Sequence, residues 1–226
     1  MAINCPTQSL LLDEVKLVVG GHPSVAAKIV ITRGSGPRGY AAPTAQAPLR
    51  VVSASPYQPQ PAQQGIHARI CQLRLSHQPA LAGAKHLNRL ENVLARAEWR
   101  EPEIREGLLL DCDENAIGGT MSNLFIAKNG VFYTPDLSRC GVAGVTRARV
   151  ISIAHRFGVA CHQVHLPLQR VLEADELFFV NSLIGVWPVV KLDGHAWPIG
   201  KLSERLRAAL QAEDATLVSV LPASGI

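Results

Sequence analysis

The sequence predicts a mixed α/β (α+β) protein in two parts, and three observations carry that expectation. Short β-branched runs alternate with helix-periodic stretches along its 226 residues. A Pro- and Gln-rich stretch at 56–65 reads as a linker between a small N-terminal part, 1–55, and a larger β-rich part, 66–226. Hydrophobic residues make up 47% and charged residues 18%, enough to build a buried core without a metal or disulfide staple.

The elements follow in order. Leu11, Leu12, Val15 and Val18 sit at helical spacing between Gln8 and Val19, and Gly20-Gly21 ends that run. Two apolar runs, Ala27 to Thr32 and Leu49 to Ala54, read as paired strands around the loop Arg33-Gly34-Ser35-Gly36-Pro37-Arg38-Gly39-Tyr40. A strand is expected from Ile66 to Leu73. A helix is expected from Lys85 to Ala97, with Leu87, Leu90, Val93 and Leu94 on one face. Short strands at Gly107 to Cys112, Asn123 to Ala127 and Val131 to Thr134 come next, the last two joined by the hairpin signal Asn129-Gly130. Arg147 to Phe157 is helical and Gly158 suits its C-terminal end. Strands at Val159 to Val164, Leu177 to Val180 and Val186 to Leu192, a turn at Asp193-Gly194 and a helix from Leu202 to Gln211 complete the chain.

Composition excludes several functions. The net charge of +4 is spread without a basic run, which argues against a nucleic-acid partner and leaves room for a small anionic one. Cys5, Cys71, Cys112, Cys140 and Cys161 are odd in number, with no C-x-x-C pair. That pattern argues against a disulfide framework and a zinc site, and for reduced thiols in a cytoplasm. No apolar stretch has the length of a membrane span, and the N-terminus has no signal pattern, so no membrane role is expected.

A few residues could carry chemistry. Lys85, placed at the first turn of the expected helix, would feel the positive end of the macrodipole, which favours loss of its proton and attack on an aldehyde. An isolated lysine at such a place is more often a solvated surface residue. Gly141 to Arg147 puts glycines and a hydroxyl ahead of a helix, a place where backbone N–H groups and Thr146 could hold a phosphate, or where Thr146 simply caps the helix. Arg33 and Arg38, near Tyr40, could recognise a carboxylate or form a solvated loop. His162 and His165 fall on opposite faces of a strand, so no metal site is assigned. Trp187 and Trp197 read as core or interface residues.

Three segments resemble a known family. Gly118 to Phe125, then Tyr133-Thr134-Pro135, then Gly141 to Arg147 are similar to the signature of class IV aminotransferases, the D-amino-acid aminotransferase-like enzymes of pyridoxal-phosphate fold type IV. Ala84 to Glu91 and Arg33 to Tyr40 resemble the aminodeoxychorismate lyases within it. The resemblance implies a homodimeric, pyridoxal 5'-phosphate-dependent enzyme that converts 4-amino-4-deoxychorismate to 4-aminobenzoate and pyruvate for folate synthesis. It implies Lys85 as the cofactor-binding and proton-shuttling lysine, Asn123, Gly144, Val145, Thr146 and Ser182 as cofactor contacts, and Arg33, Arg38 and Tyr40 as substrate contacts. A D-amino-acid or branched-chain aminotransferase shares the fold and cofactor and is the alternative. A shortened homologue without turnover is a third reading.

Two departures accompany the resemblance. The signature opens with a glutamate that hydrogen-bonds the pyridine nitrogen, and Gly118 stands in its place. Loss of that carboxylate makes the ring a poorer electron sink, so Gly118→Glu is expected to raise turnover. The family also carries a glycine-rich first hairpin ahead of the point where this sequence starts.

Overall fold

The computed structural model describes residues 3–22, 24–59 and 62–220, the last with side chains through 216. Pro23 and, within the expected linker, Gln60 and Pro61 lie outside the described residues. The chain divides into two compact units, Met1–Gln60 and Pro61–Ile226.

The first unit contains helix α1 (Gln8–Val19) and an antiparallel pair, β1 (Val25–Thr32) and β2 (Leu49–Pro56). Thr7 caps α1 by accepting from Leu10 N, and Arg50 of β2 reaches Glu14 of α1 at 2.8 Å. No described residue of this unit is buried. The helical spacing of Leu11, Leu12, Val15 and Val18 therefore gives the helix without giving a core.

The second unit is built on a nine-stranded sheet. Its strands are β3 (Ile66–Leu75), β4 (Ile104–Asp111), β5 (Ala116–Gly119), β6 (Asn123–Lys128), β7 (Val131–Pro135), β8 (Cys161–Val164), β9 (Glu176–Asn181), β10 (Gly185–Leu192) and the two-residue β11 (His195–Ala196). The order is β5-β4-β3-β10-β9-β6-β7-β8, with β11 beside β10. β3 runs parallel to β4 and to β10, and β7 parallel to β8, while the other pairs are antiparallel. The sheet curls until its edge strand β5 approaches β6: a Cβ added to Gly118 would stand 3.9 Å from Asn123 Cα. At Asn129-Gly130 both residues have positive φ, 51° and 77°, the geometry a two-residue hairpin of this twist requires.

Alternation along β6 sends side chains into two cores. Leu124 and Ile126 pack inside the curl with Leu108, Phe179, Trp187 and Leu192. Phe125 turns to the other side, stacked on Phe178 at 5.4 Å, where helices α3 (Val145–Arg156) and α5 (Lys201–Val220) contribute Val150, Ile153, Leu206 and Leu210. A third cluster packs Ala95 of helix α2 (Leu90–Arg96) and Trp99 on Cys71 and Leu109. Trp187 and Trp197 are core residues, and Trp197 Nε1 donates to Ala174 O at 2.9 Å. A short helix α4 (Leu168–Leu172) links β8 to β9.

Two expectations are corrected. The helix expected from Lys85 starts at Leu90, because the chain first runs beside Val142 in an isolated bridge at Gly83, whose φ is +76°. The apolar stripe of that helix also does not face inward: Leu87, Leu90, Val93 and Leu94 are 53–67% exposed, and α2 buries Ala95 instead.

Candidate active site

The helix α3 begins at Val145 with Gly144 as its N-cap, and no side chain caps it. The first N–H groups of a helix have no intrahelical acceptor, so this end presents donors to an anion. A Cβ on Gly144 would overlap Asn123 Oδ1. Glycine there lets Asn123 lie against the loop, where its Nδ2 donates to Val142 O at 2.7 Å. Thr146 and Ser182 bring their hydroxyl oxygens to 3.4 Å of each other. Asn123 pairs with Val180 across the sheet, which sets Ser182 just past the end of β9 on the same side of the unit.

The Lys85 segment is strapped to this loop. Gly83 N donates to Gly141 O at 3.1 Å and Ala143 N to Gly83 O at 3.0 Å. Around the lysine, Arg89 Nη2 donates to Ala84 O at 2.5 Å and Nε to His86 O at 3.1 Å, gripping the carbonyls on both sides of Lys85. Burial, then the neighbouring Arg89 guanidinium, holds His86 below its ordinary value. Lys85 itself is exposed. It stands before α2, which begins at Leu90, and not in the first turn of a helix.

The structure thus gathers Lys85, Asn123, Gly144, Val145, Thr146 and Ser182 into one neighbourhood of the second unit. Arg33, Arg38 and Tyr40 belong to the first unit, in the loop between β1 and β2, with Arg38 and Tyr40 exposed. Arg147, inside the quoted signature, is a support: it is buried, and its guanidinium donates to Thr134 Oγ1, Pro135 O and Gln163 Oε1 at 2.8–3.1 Å.

The pyridine-nitrogen position has a different character. Gly118 and Gly119 face opposite sides of β5. On the Gly119 side lies Glu106, fully buried, whose carboxylate accepts from Gly107 N, Thr120 N, Thr120 Oγ1, Met121 N and Ser122 Oγ at 2.6–3.4 Å. A Cβ on Gly119 would come within 2.6 Å of Glu106 Oε2, so glycine is needed for the clamp to form. On the Gly118 side a Cβ would meet Ser122 O at 2.9 Å, a backbone atom held by Gly119 N at 2.8 Å. The expected gain from Gly118→Glu must therefore be revised: the side chain has no room until the Thr120–Ser122 turn moves. Glu114, in the turn before this strand, is committed to Arg74 at 2.6 Å.

The donor set fits pyridoxal phosphate at two of its three ends. An uncapped helix start with two hydroxyls suits the phosphate, and an exposed lysine on the adjoining segment suits the aldehyde. The ring-nitrogen end presents no carboxylate from Gly118. Glu106 was not legible as a buried residue: it stands between Arg105 and the apolar run 107–110 of β4.

The family described as amino-transferase class IV matches residues 2–192. An aminodeoxychorismate lyase of Vibrio harveyi is 37% identical over 220 residues, covering 93% of this chain and 80% of the relative. The crystal structure of 4-amino-4-deoxychorismate lyase from Pseudomonas aeruginosa is 42% identical with a TM-score of 0.86, covering 92% of this chain and 78% of that one. A branched-chain amino acid aminotransferase from Escherichia coli shares the fold, with a TM-score of 0.80 at 24% identity, covering 93% of this chain and 72% of that one. With the signature segments assembled as described and the fold shared, this chain belongs to the class IV aminotransferase family.

Proposed function

We propose that the chain is a pyridoxal-phosphate-dependent aminodeoxychorismate lyase, releasing pyruvate from 4-amino-4-deoxychorismate and leaving 4-aminobenzoate. The observation that carries the reading is the strap between Gly83 and the Gly141–Ala143 loop, which fixes an exposed lysine beside an uncapped helix start. Lyase relatives at 37% and 42% identity over more than nine tenths of the chain support the choice of reaction. Bound pyridoxal phosphate would supply an aldehyde carbon and an electron-accepting ring. The chain's own residues would do the rest: the amides at the start of α3, with Thr146 and Ser182, would hold the phosphate, Asn123 fixes the loop that carries those amides, and Lys85 would hold the aldehyde end and carry a proton at Nζ. Arg33, Arg38 and Tyr40 are assigned to the substrate carboxylates.

A homodimer belongs to the same proposal. Leu87, Leu90, Val93 and Leu94 expose more than half of their surface on and beside α2, an apolar stripe suited to a second copy. The cysteines are free, which suits a reducing cytoplasm, and no described helix is long and apolar enough to cross a membrane.

Gly118 favours one other reading, a homologue that holds the cofactor without turnover. The deciding experiment follows pyruvate and 4-aminobenzoate from aminodeoxychorismate at saturating cofactor, with transfer of the amino group to a keto acid measured alongside. Equal release of the two products without amino transfer is expected. Amino transfer alone would make the chain an aminotransferase, and cofactor binding without either reaction would select the non-catalytic reading.

A further inference from the structure

Lys85 stands in a stretch without regular structure. Gly83 is tied to the loop at 141–143 and α2 begins at Leu90, so residues 84 to 89 between them belong to no helix or strand. A side chain shapes this stretch. Arg89 is the N-cap residue of α2, and its side chain makes no cap bond there. The guanidinium reaches back along the chain, where Nη2 donates to Ala84 O at 2.5 Å and Nε to His86 O at 3.1 Å. Nε and Nη2 form one edge of a rigid plane, so the two carbonyls are held at a set separation.

We propose that Arg89 is the positioning residue for Lys85, pinning the peptide units around it so that the direction of the lysine side chain is fixed relative to the loop at 141–143. Each peptide unit is planar. Fixing Ala84 O therefore fixes Lys85 N and Cα, and fixing His86 O fixes His86 Cα. A single peptide unit remains between those two Cα atoms, which leaves the Lys85 Cα–Cβ bond little freedom. The functional consequence rests on the reading of Lys85 as the aldehyde-binding lysine, whereas the hold rests on the two hydrogen bonds.

Two further observations separate Arg89 from a solvated surface charge. Among the described residues no ion pair includes it, and the carboxylate of nearby Glu91 accepts from Ser76 N at 3.0 Å. Burial, opposed by the charge on Glu91, holds the guanidinium below its ordinary value, as expected of a cation that has exchanged water for two carbonyls. The helix that Arg89 begins is anchored as well, because Asn92 Nδ2 donates to Thr120 O at 2.8 Å. Helix α2 thus joins the lysine bend to the turn that closes the ring-nitrogen end.

The test uses the full chain, first without cofactor and then with it. A lysine-specific protease is applied in limiting amount, and nicking after Lys85 is compared with nicking after Lys128, which ends β6 and is paired with Asp175. Arg89→Gln should raise nicking after Lys85 by about tenfold, the worth of one lost hydrogen bond from a charged donor, and leave Lys128 unchanged. Attachment of pyridoxal phosphate to Lys85, fixed with borohydride, should then need about tenfold more cofactor. Should circular dichroism show that Arg89→Gln does not fold, Arg89→Met, which keeps the apolar stem and loses every donor, takes its place with the same expected outcome. Nicking after Lys85 that does not rise in the folded variant, a rise shared equally by Lys128, or undiminished attachment of the cofactor would each overturn the proposal. A parent that attaches no cofactor at Lys85 would contradict the proposed activity, and the nicking alone would then decide the hold.

Discussion

The two ends of the candidate site are built in opposite ways. At the phosphate end, glycine at 144 creates room, Asn123 fills it, and the donors at the start of α3 are left uncapped by any side chain. At the ring-nitrogen end, glycine at 118 leaves no room, and the nearby carboxylate of Glu106 is engaged by five donors of its own structure. A glycine in a family signature can therefore mean an opened cradle or a closed one, and only the neighbouring atoms tell which.

The largest expected effect breaks the closed end. Glu106→Ala strips the acceptor from buried amides and from the Thr120 and Ser122 hydroxyls, and unsatisfied buried donors cost about 1–3 kcal/mol each. A loss of at least about 3 kcal/mol in chemical denaturation is expected, and a neutral substitution would mean the turn rearranges freely.

A smaller effect sharpens the same end. Gly118→Ala forces a Cβ against Ser122 O, a form of overpacking that costs about 1–3 kcal/mol. Gly118→Glu meets the same clash before its carboxylate can reach a ring, so its thermal stability should fall with that of Gly118→Ala. If Gly118→Ala is as stable as the parent, the turn yields, and a gain of turnover in Gly118→Glu becomes expected again.

The smallest effect lies behind the phosphate end. Glu213 of α5 accepts from Arg149 and Arg156 of α3, and the hydrogen bond from Arg156, opposed by burial and aided by Arg149, holds its carboxyl below the usual glutamate value. A carboxyl lowered by folding contributes stability above its unfolded value, about 4.3, and that contribution is lost as pH falls through its folded value. Glu213→Gln should therefore lower the melting temperature slightly at pH 7 and narrow its gap to the parent as acid is added. A constant gap across that range would remove the ion pair from the account of how α3 is held.

What the sequence revealed tracks these differences. The glycine-bearing start of α3 was legible because its residues lie together in one segment, Gly141 to Arg147, and the hairpin at Asn129-Gly130 because its turn chemistry is local. The strand β5 was missed: Ala-Ile-Gly-Gly has poor strand propensity, and its glycines are chosen by what presses on them from Glu106 and Ser122. The helix at Lys85 was drawn too early because apolar spacing from Leu87 to Leu94 fits a helix face, whereas the Gly83 bridge and the Arg89 grip hold Lys85 in a bend. Burial was the least legible property, as the exposed faces of α1 and α2 both demonstrate.

The most direct test of the central claim, that Lys85 is the residue the phosphate end serves, is reduction of the cofactor-saturated chain with borohydride followed by mass spectrometry of its peptides. The reduced cofactor's mass is expected on the peptide carrying Lys85, with none attached in Lys85→Ala. The same mass on Lys128, Lys191 or Lys201, or attachment undiminished in Lys85→Ala, would contradict it.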